Sequence, residues 1–310
     1  MSAVPAMKDA PRSGGRAALV AMARRIWANA WIWSAGTQAL TSGLSLVTSV
    51  VAARLLGVAG FGDYVLIQAG VMVLSGLQYQ LIASPMAIIA GERPRSPAYF
   101  GAIARAVLLM AVAIGIAAAA YSLILDRPAG HGPLAAANVL FAAGTVAQDG
   151  AKRILFAAGR PRAAFLCELA RQVLFFLFLA GAWWGFGAST EMLLVCAGLG
   201  MALAAGPVLL PLLRRSLRGG LPRAVFFRHW RLGRWLMLMV LVSMAHEQLV
   251  TIFAGAWIGE QAAAGLRAAH VLLGPLLVFM SSLENVVPRR AAGHLRSGGE
   301  GALSGYLTRV

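Results

Sequence analysis

The chain has 310 residues, 59% of them hydrophobic and only 12% charged, with a mean hydropathy of +0.74. A water-soluble chain carries roughly a quarter charged residues, so these totals exclude a soluble domain and predict an integral membrane protein. The net charge of +16 would suggest a nucleic-acid partner in a soluble protein; in a membrane protein it reflects basic cytoplasmic loops instead, and no nucleic acid is expected.

The chain opens with a basic segment, 1–30, holding Lys8, Arg12, Arg16, Arg24 and Arg25 against one acid, Asp9. Its 16–29 portion mixes apolar and basic residues in the manner of a membrane-surface segment. A full-length span follows this basic region, so no cleaved signal peptide is expected. The later apolar runs are continuous rather than alternating. Lipid offers the backbone no hydrogen-bond partner, so runs of about 20 residues must be helices. Spans are predicted at 33–56, 64–90, 101–125, 133–158, 163–186, 190–213, 235–258 and 264–288, with the start of another helix at 301–310. The fold class is therefore an all-α polytopic membrane protein of about eight transmembrane helices. It divides into the 1–30 segment, a six-helix bundle over 31–213, a basic cytoplasmic loop over 214–234, and a partial second bundle over 235–310.

Charge placement sets the orientation. The N-terminus and every second loop hold 21 basic residues, whereas the other loops hold three, namely Arg54, Arg127 and Arg267. Basic residues favour the cytoplasmic side, so the N-terminus is expected there. Arginine supplies 25 of the 27 basic residues, and alanine and glycine are abundant, a bias of GC-rich genomes that points to a bacterial source.

The first two spans meet at a glycine-rich corner, Gly57, Gly60 and Gly62. A degraded copy recurs about 200 residues later, with Gly259 and Gly265 at the corner. Gly62 to Pro85 is 23 residues and so is Gly265 to Pro288, which predicts two related halves. Gly181 and Gly185 form a small-xxx-small pair that reads as helix packing. Cys167 and Cys196 lie in apolar runs and have neither disulfide nor metal-ligand spacing.

At the first corner, Arg54, Leu55, Leu56 and Gly57 are followed by Phe61 and Gly62. This pattern resembles the first corner of polysaccharide and oligosaccharide flippases of the MOP exporter superfamily. The stretch DGAKRILFAAGRPRAA (149–164) resembles the fourth helix and following loop of the same family. The resemblance implies two six-helix bundles around a central cavity, with at least twelve spans; eight are visible here, so the expectation is a C-terminally incomplete transporter. It also implies translocation of polyprenyl-diphosphate-linked oligosaccharide for cell-surface polysaccharide biosynthesis, by alternating access. The partners implied are the lipid-linked oligosaccharide, membrane lipids, and polysaccharide polymerase or export machinery. The alternatives are a multidrug or cation antiporter of the same superfamily and a non-transporting truncated membrane protein.

Ionisable groups inside spans are the candidates for function, because burying them is costly. Glu247 falls near the middle of the seventh span, as a proton or cation acceptor or as a hydrogen-bonded packing residue. Asp149 can meet Lys152 and Arg153 at i+3 and i+4, and Glu168 can meet Arg171 at i+3. Lys152, Arg153 and Arg171 could receive a lipid diphosphate, for which the planar arginine fork is suited, or could be neutralised by the two acids. Gln148 and Asp149 add polarity to the fourth span. Arg54 stands against the orientation rule and could either hold the diphosphate on the outward side or snorkel to the interface. There is no P-loop, no metal-ligand set and no loop large enough for a catalytic domain, so a non-enzymatic protein without a cofactor is expected.

Overall fold

The structure, a computed structural model, describes residues 30–92, 97–125, 131–216 and 223–308; side chains at 239–247 and at most positions of 270–290 lie outside that description. The described residues form helices: α1 (Ala30–Gln78), a π-helical turn (Tyr79–Ala83), α2 (Ser84–Glu92), α3 (Pro97–Leu125), α4 (His131–Ala157), α5 (Pro161–Phe186), α6 (Thr190–Ser216), α7 (Arg223–Trp257), α8 (Glu260–Leu272) and α9 (Gly274–Leu307).

The first two predicted spans are the arms of α1. Gly57, at φ 68° and ψ −175°, makes the corner between them. That backbone region is open essentially to glycine alone. Gly259, at φ 119°, separates α7 from α8. The second arm continues through the π-helical turn into α2.

Helices α3 to α6 complete a bundle with α1. Gly144 of α4 and Gly198 of α6 let these helices approach closely, since a Cβ at Gly144 would lie 2.7 Å from the Gly198 carbonyl oxygen. Asn138 ties α4 to α3 by donating to the Ala118 carbonyl (2.9 Å) and to Ser122 Oγ (2.8 Å). The outer faces are apolar: Leu109, Val112 and Ile116 of α3 are each more than 60% exposed, and Leu166, Val173 and Leu177 of α5 form a second such stripe. Leucine stripes of this size on an outer surface suit a hydrocarbon solvent. Four helical stretches, Ile32–Ala90, Pro97–Leu123, Pro161–Gly185 and Thr190–Ser216, are long and apolar enough to cross a membrane, and the 59-residue first one contains the Gly57 corner. The molecule is an all-α polytopic membrane protein.

Four expectations are corrected. The loop placed at 214–234 is helical at 214–216, the end of α6, and again from Arg223 onward, as part of α7; arginine is itself a good helix former. The span placed at 264–288 is broken at Leu273, where Pro275 starts a new helix. That helix runs past Pro288 to a bend at Gly298 and Gly299, which sets off the last helical stretch to Leu307. Finally, Cβ atoms at Gly181 or Gly185 would meet nothing within 4 Å, so this pair packs against no helix of the described chain. Cys167 and Cys196 are free and buried, as small packing residues are.

Helix α7 runs beside the second arm of α1. A Cβ at Gly233 would lie 2.8 Å from the Gln80 carbonyl oxygen. His229, 6% exposed, bonds Tyr99 of α3 (Nε2 to Oη, 2.9 Å) and the Leu81 carbonyl (Nδ1, 3.3 Å). Past the corner, a Cβ at Gly62 would lie 2.5 Å from the Glu260 carbonyl oxygen, and Arg267 Nη2 donates to Ser45 Oγ at 3.2 Å. Helices α7 and α8 are thus fastened to α1 and the π-helical turn at several levels.

Candidate functional site

A cavity of about 430 Å³ lies inside the first bundle. Helix periodicity builds its walls, because residues three and four apart share one face. The first arm of α1 contributes Thr41, Ser45, Thr48 and Ser49, and the second arm Tyr64, Gln68 and Ser75, with Tyr79 from the π-helical turn. Helix α4 contributes Thr145, Gln148, Asp149, Lys152 and Arg153; α5 contributes Glu168, Arg171, Gln172 and Phe175. The resemblance implies a cavity between two bundles, yet every described lining residue of this one comes from α1, the π-helical turn, α4, α5 or α6.

Charge is concentrated on the α4–α5 wall. Arg153 Nε donates to Asp149 Oδ2 at 2.7 Å, and Lys152 Nζ stands 3.9 Å from Asp149 Oδ1. Lys152 Nζ also reaches across to Glu168 Oε2 at 3.5 Å. Arg171 directs both Nε (3.1 Å) and Nη2 to Glu168 Oε1. Glu168 is 1% exposed, so its charge requires these partners. The Thr41 hydroxyl stands beside the same carboxylate. Three cations against two carboxylates leave the wall one positive charge in excess. The guanidinium of Arg153 lies over the Tyr79 ring, 4.0 Å from its centroid, a cation–π contact. The π-helical turn that begins at Tyr79 inserts a residue into the helical repeat and so re-aims this ring; such turns recur at functional sites.

The candidates from sequence therefore divide. Lys152, Arg153, Arg171, Asp149 and Gln148 all line the one cavity. Gln148 is committed to structure, since its Nε2 donates to the Cys167 carbonyl of α5 at 3.2 Å. Arg54 is exposed and does not line this cavity. Glu247 belongs to α7, and its side chain lies outside the described residues. Sequence reasoning missed Tyr64, Gln68, Tyr79, Gln172 and the hydroxyl face of α1. The last had a signal: Thr37, Thr41, Ser45 and Thr48 recur at i+4, i+4 and i+3 inside an apolar run, which is a polar stripe within a span. Among the described residues no cluster of histidine, cysteine or carboxylate groups could hold a metal ion.

The wall can therefore do two things. Its cations can accept an anion in place of the internal carboxylates, and its hydroxyls, amides and tyrosines can hydrogen-bond a polyhydroxylated ligand. The family described as polysaccharide biosynthesis protein matches residues 27–291 of the chain. No curated protein and no solved structure gives a significant match.

Proposed function

Because the chain belongs to the polysaccharide biosynthesis protein family, whose members are polysaccharide flippases of the MOP superfamily, we propose that it carries polyprenyl-diphosphate-linked oligosaccharide across the bacterial inner membrane with its N-terminus in the cytoplasm. The observation that carries this reading is the cavity wall itself. Lys152, Arg153 and Arg171 converge beside a bank of hydroxyl and amide groups, matching a diphosphate attached to a sugar. Arginine donates to phosphate oxygens through its planar fork, and each charge-assisted bond is worth roughly 1.5–3 kcal/mol. In the loaded state the diphosphate takes over cations now shared with Asp149 and Glu168, and the neighbouring hydroxyls receive the glycan.

The positive excess of the wall weighs against antiport of a cationic drug, which calls for an acidic site. Transport itself makes and breaks no covalent bond, and the reading needs no cofactor. The cycle that this reading calls for is alternating access, one bundle moving against the other. The experiment is glycan protection in proteoliposomes loaded with a fluorescent polyprenyl-diphosphate oligosaccharide. Conversion of external to protected sugar supports the reading; absence of movement at any substrate load, with intact protein in the vesicles, refutes it.

A further inference from the structure

Helix α7 begins well before its apolar part. Its 35 residues span about 52 Å at 1.5 Å per residue, against a hydrocarbon core of about 30 Å. The rotation of its first turns is set by contacts on one side. His229 bonds Leu81 and Tyr99, and Gly233 packs against Gln80. The rest of its circumference is exposed, and it interleaves two kinds of residue. Phe226, Phe227, Trp230 and Trp235 are 59%, 64%, 44% and 65% exposed, and Arg223, Arg231 and Arg234 are exposed among them. The guanidinium of Arg234 lies 5.3 Å from the Trp235 ring centroid.

A second group of cations stands at the same level. Arg214 and Arg215 are exposed at the end of α6, where a Cβ at Gly101 of α3 would lie 2.7 Å from the Cβ of Ser216. Tyr99, two residues earlier on α3, holds His229 of α7. Both arginine groups therefore surround the start of α3. From Met192 to His246 the sequence has seven arginines and no acid. Exposed aromatics belong at the boundary of hydrocarbon and headgroup, and arginines beside them meet phosphate there.

We propose that the first turns of α7 (223–235), with Arg214 and Arg215, form a docking surface for acidic phospholipid headgroups, the aromatic side chains entering the acyl boundary and the arginines binding the phosphates. This surface is separate from the cavity and does not rest on the transport reading. It would hold α7, and with it the second repeat, at a fixed depth in the membrane.

The test uses the purified full chain in neutral detergent, equilibrated with equal amounts of phosphatidylglycerol and phosphatidylcholine, with retained lipid counted by mass spectrometry. The wild-type chain is expected to enrich phosphatidylglycerol at least ten-fold, given about five-fold per arginine near an anionic surface. Arg223→Gln/Arg231→Gln/Arg234→Gln is expected to lower that enrichment to near parity, whereas the corresponding triple lysine variant keeps it within about two-fold of wild type, because lysine carries the same charge. Equal retention of the two lipids by the wild-type chain overturns the proposal. So does undiminished enrichment in the glutamine variant. Loss of enrichment in the lysine variant also overturns it, since the arginines would then act through folding rather than charge.

Discussion

Lys152 of α4 and Glu168 of α5 meet with 3.5 Å between Nζ and Oε2, the carboxylate being 1% exposed. This contact joins the two halves of the charged wall. Asp149 and Arg153 stand on one side of it and Arg171 on the other, so a ligand that engages one cation disturbs the whole network.

Removing one member of a buried ion pair costs about 3–5 kcal/mol, because the other charge stays buried. Glu168→Gln leaves both Lys152 and Arg171 short of a partner and is expected to lower the thermal transition of the purified protein by several degrees. Adding Lys152→Gln to it is expected to cost less than the sum of the two single changes, since the pair couples. Additive losses in the four-variant thermal series would remove the coupling.

Transport should separate the cavity cations from Arg54. At roughly 1.5–3 kcal/mol for each charge-assisted phosphate contact, Arg171→Gln or Lys152→Gln is expected to weaken substrate binding about ten-fold or more. Arg54→Gln, on an exposed residue outside the cavity, is expected to stay within about two-fold of wild type. Substrate titrations of the proteoliposome rate report both, and a reversal of this order would assign the phosphate to the corner.

Helices α1 and α8 touch where Gly62 faces the Glu260 carbonyl, with no room for a Cβ. Gly62→Ala must push α8 away from α1 and is expected to cost about 1–3 kcal/mol, as overpacking does. Gly265→Ala, where a Cβ would meet nothing within 4 Å, is expected to be neutral or slightly stabilising, because alanine is the better helix former. Thermal unfolding of the two variants side by side checks the contact.

His229 supplies a pH dependence. The Leu81 carbonyl can only accept, so Nδ1 carries the proton and Nε2 accepts from the Tyr99 hydroxyl. Burial pushes the imidazole below its ordinary value of 6.5, and the nearby Arg228 acts in the same direction. Below about pH 6.5 the unfolded chain therefore binds more protons than the folded one, and stability falls as the pH drops toward the folded-state value. The thermal transition is expected to be level above pH 7 and to decline as the pH falls below about 6.5. His229→Gln should flatten that decline; an unchanged slope would assign it to other groups.

Much of the fold was legible because a bilayer leaves few choices. Apolar length marks the helices, and Gly57 and Gly259 mark corners by positive φ. The cations of the site were legible for the same reason: Lys152, Arg153 and Arg171 are conspicuous because ionisable groups are rare in spans. The α1 hydroxyl face was less conspicuous, since serine and threonine can satisfy themselves within a helix, as Thr41 does by donating to the Thr37 carbonyl at 2.9 Å.

By itself, the amino-acid sequence determined the class of protein, the order of the helices, the corners and the inventory of charged groups, all of which follow from local composition and period. Only the tertiary structure decided which polar faces converge. It placed the cavity inside the first bundle, joined Lys152 to Glu168, put Tyr79 under Arg153, left Arg54 outside, and turned the 223–234 segment into the exposed start of α7. The physical reason is that a helix's rotation and neighbours are set by packing with segments distant in the chain. Gly144 against Gly198, or Gly62 against Glu260, is a contact that no local pattern contains.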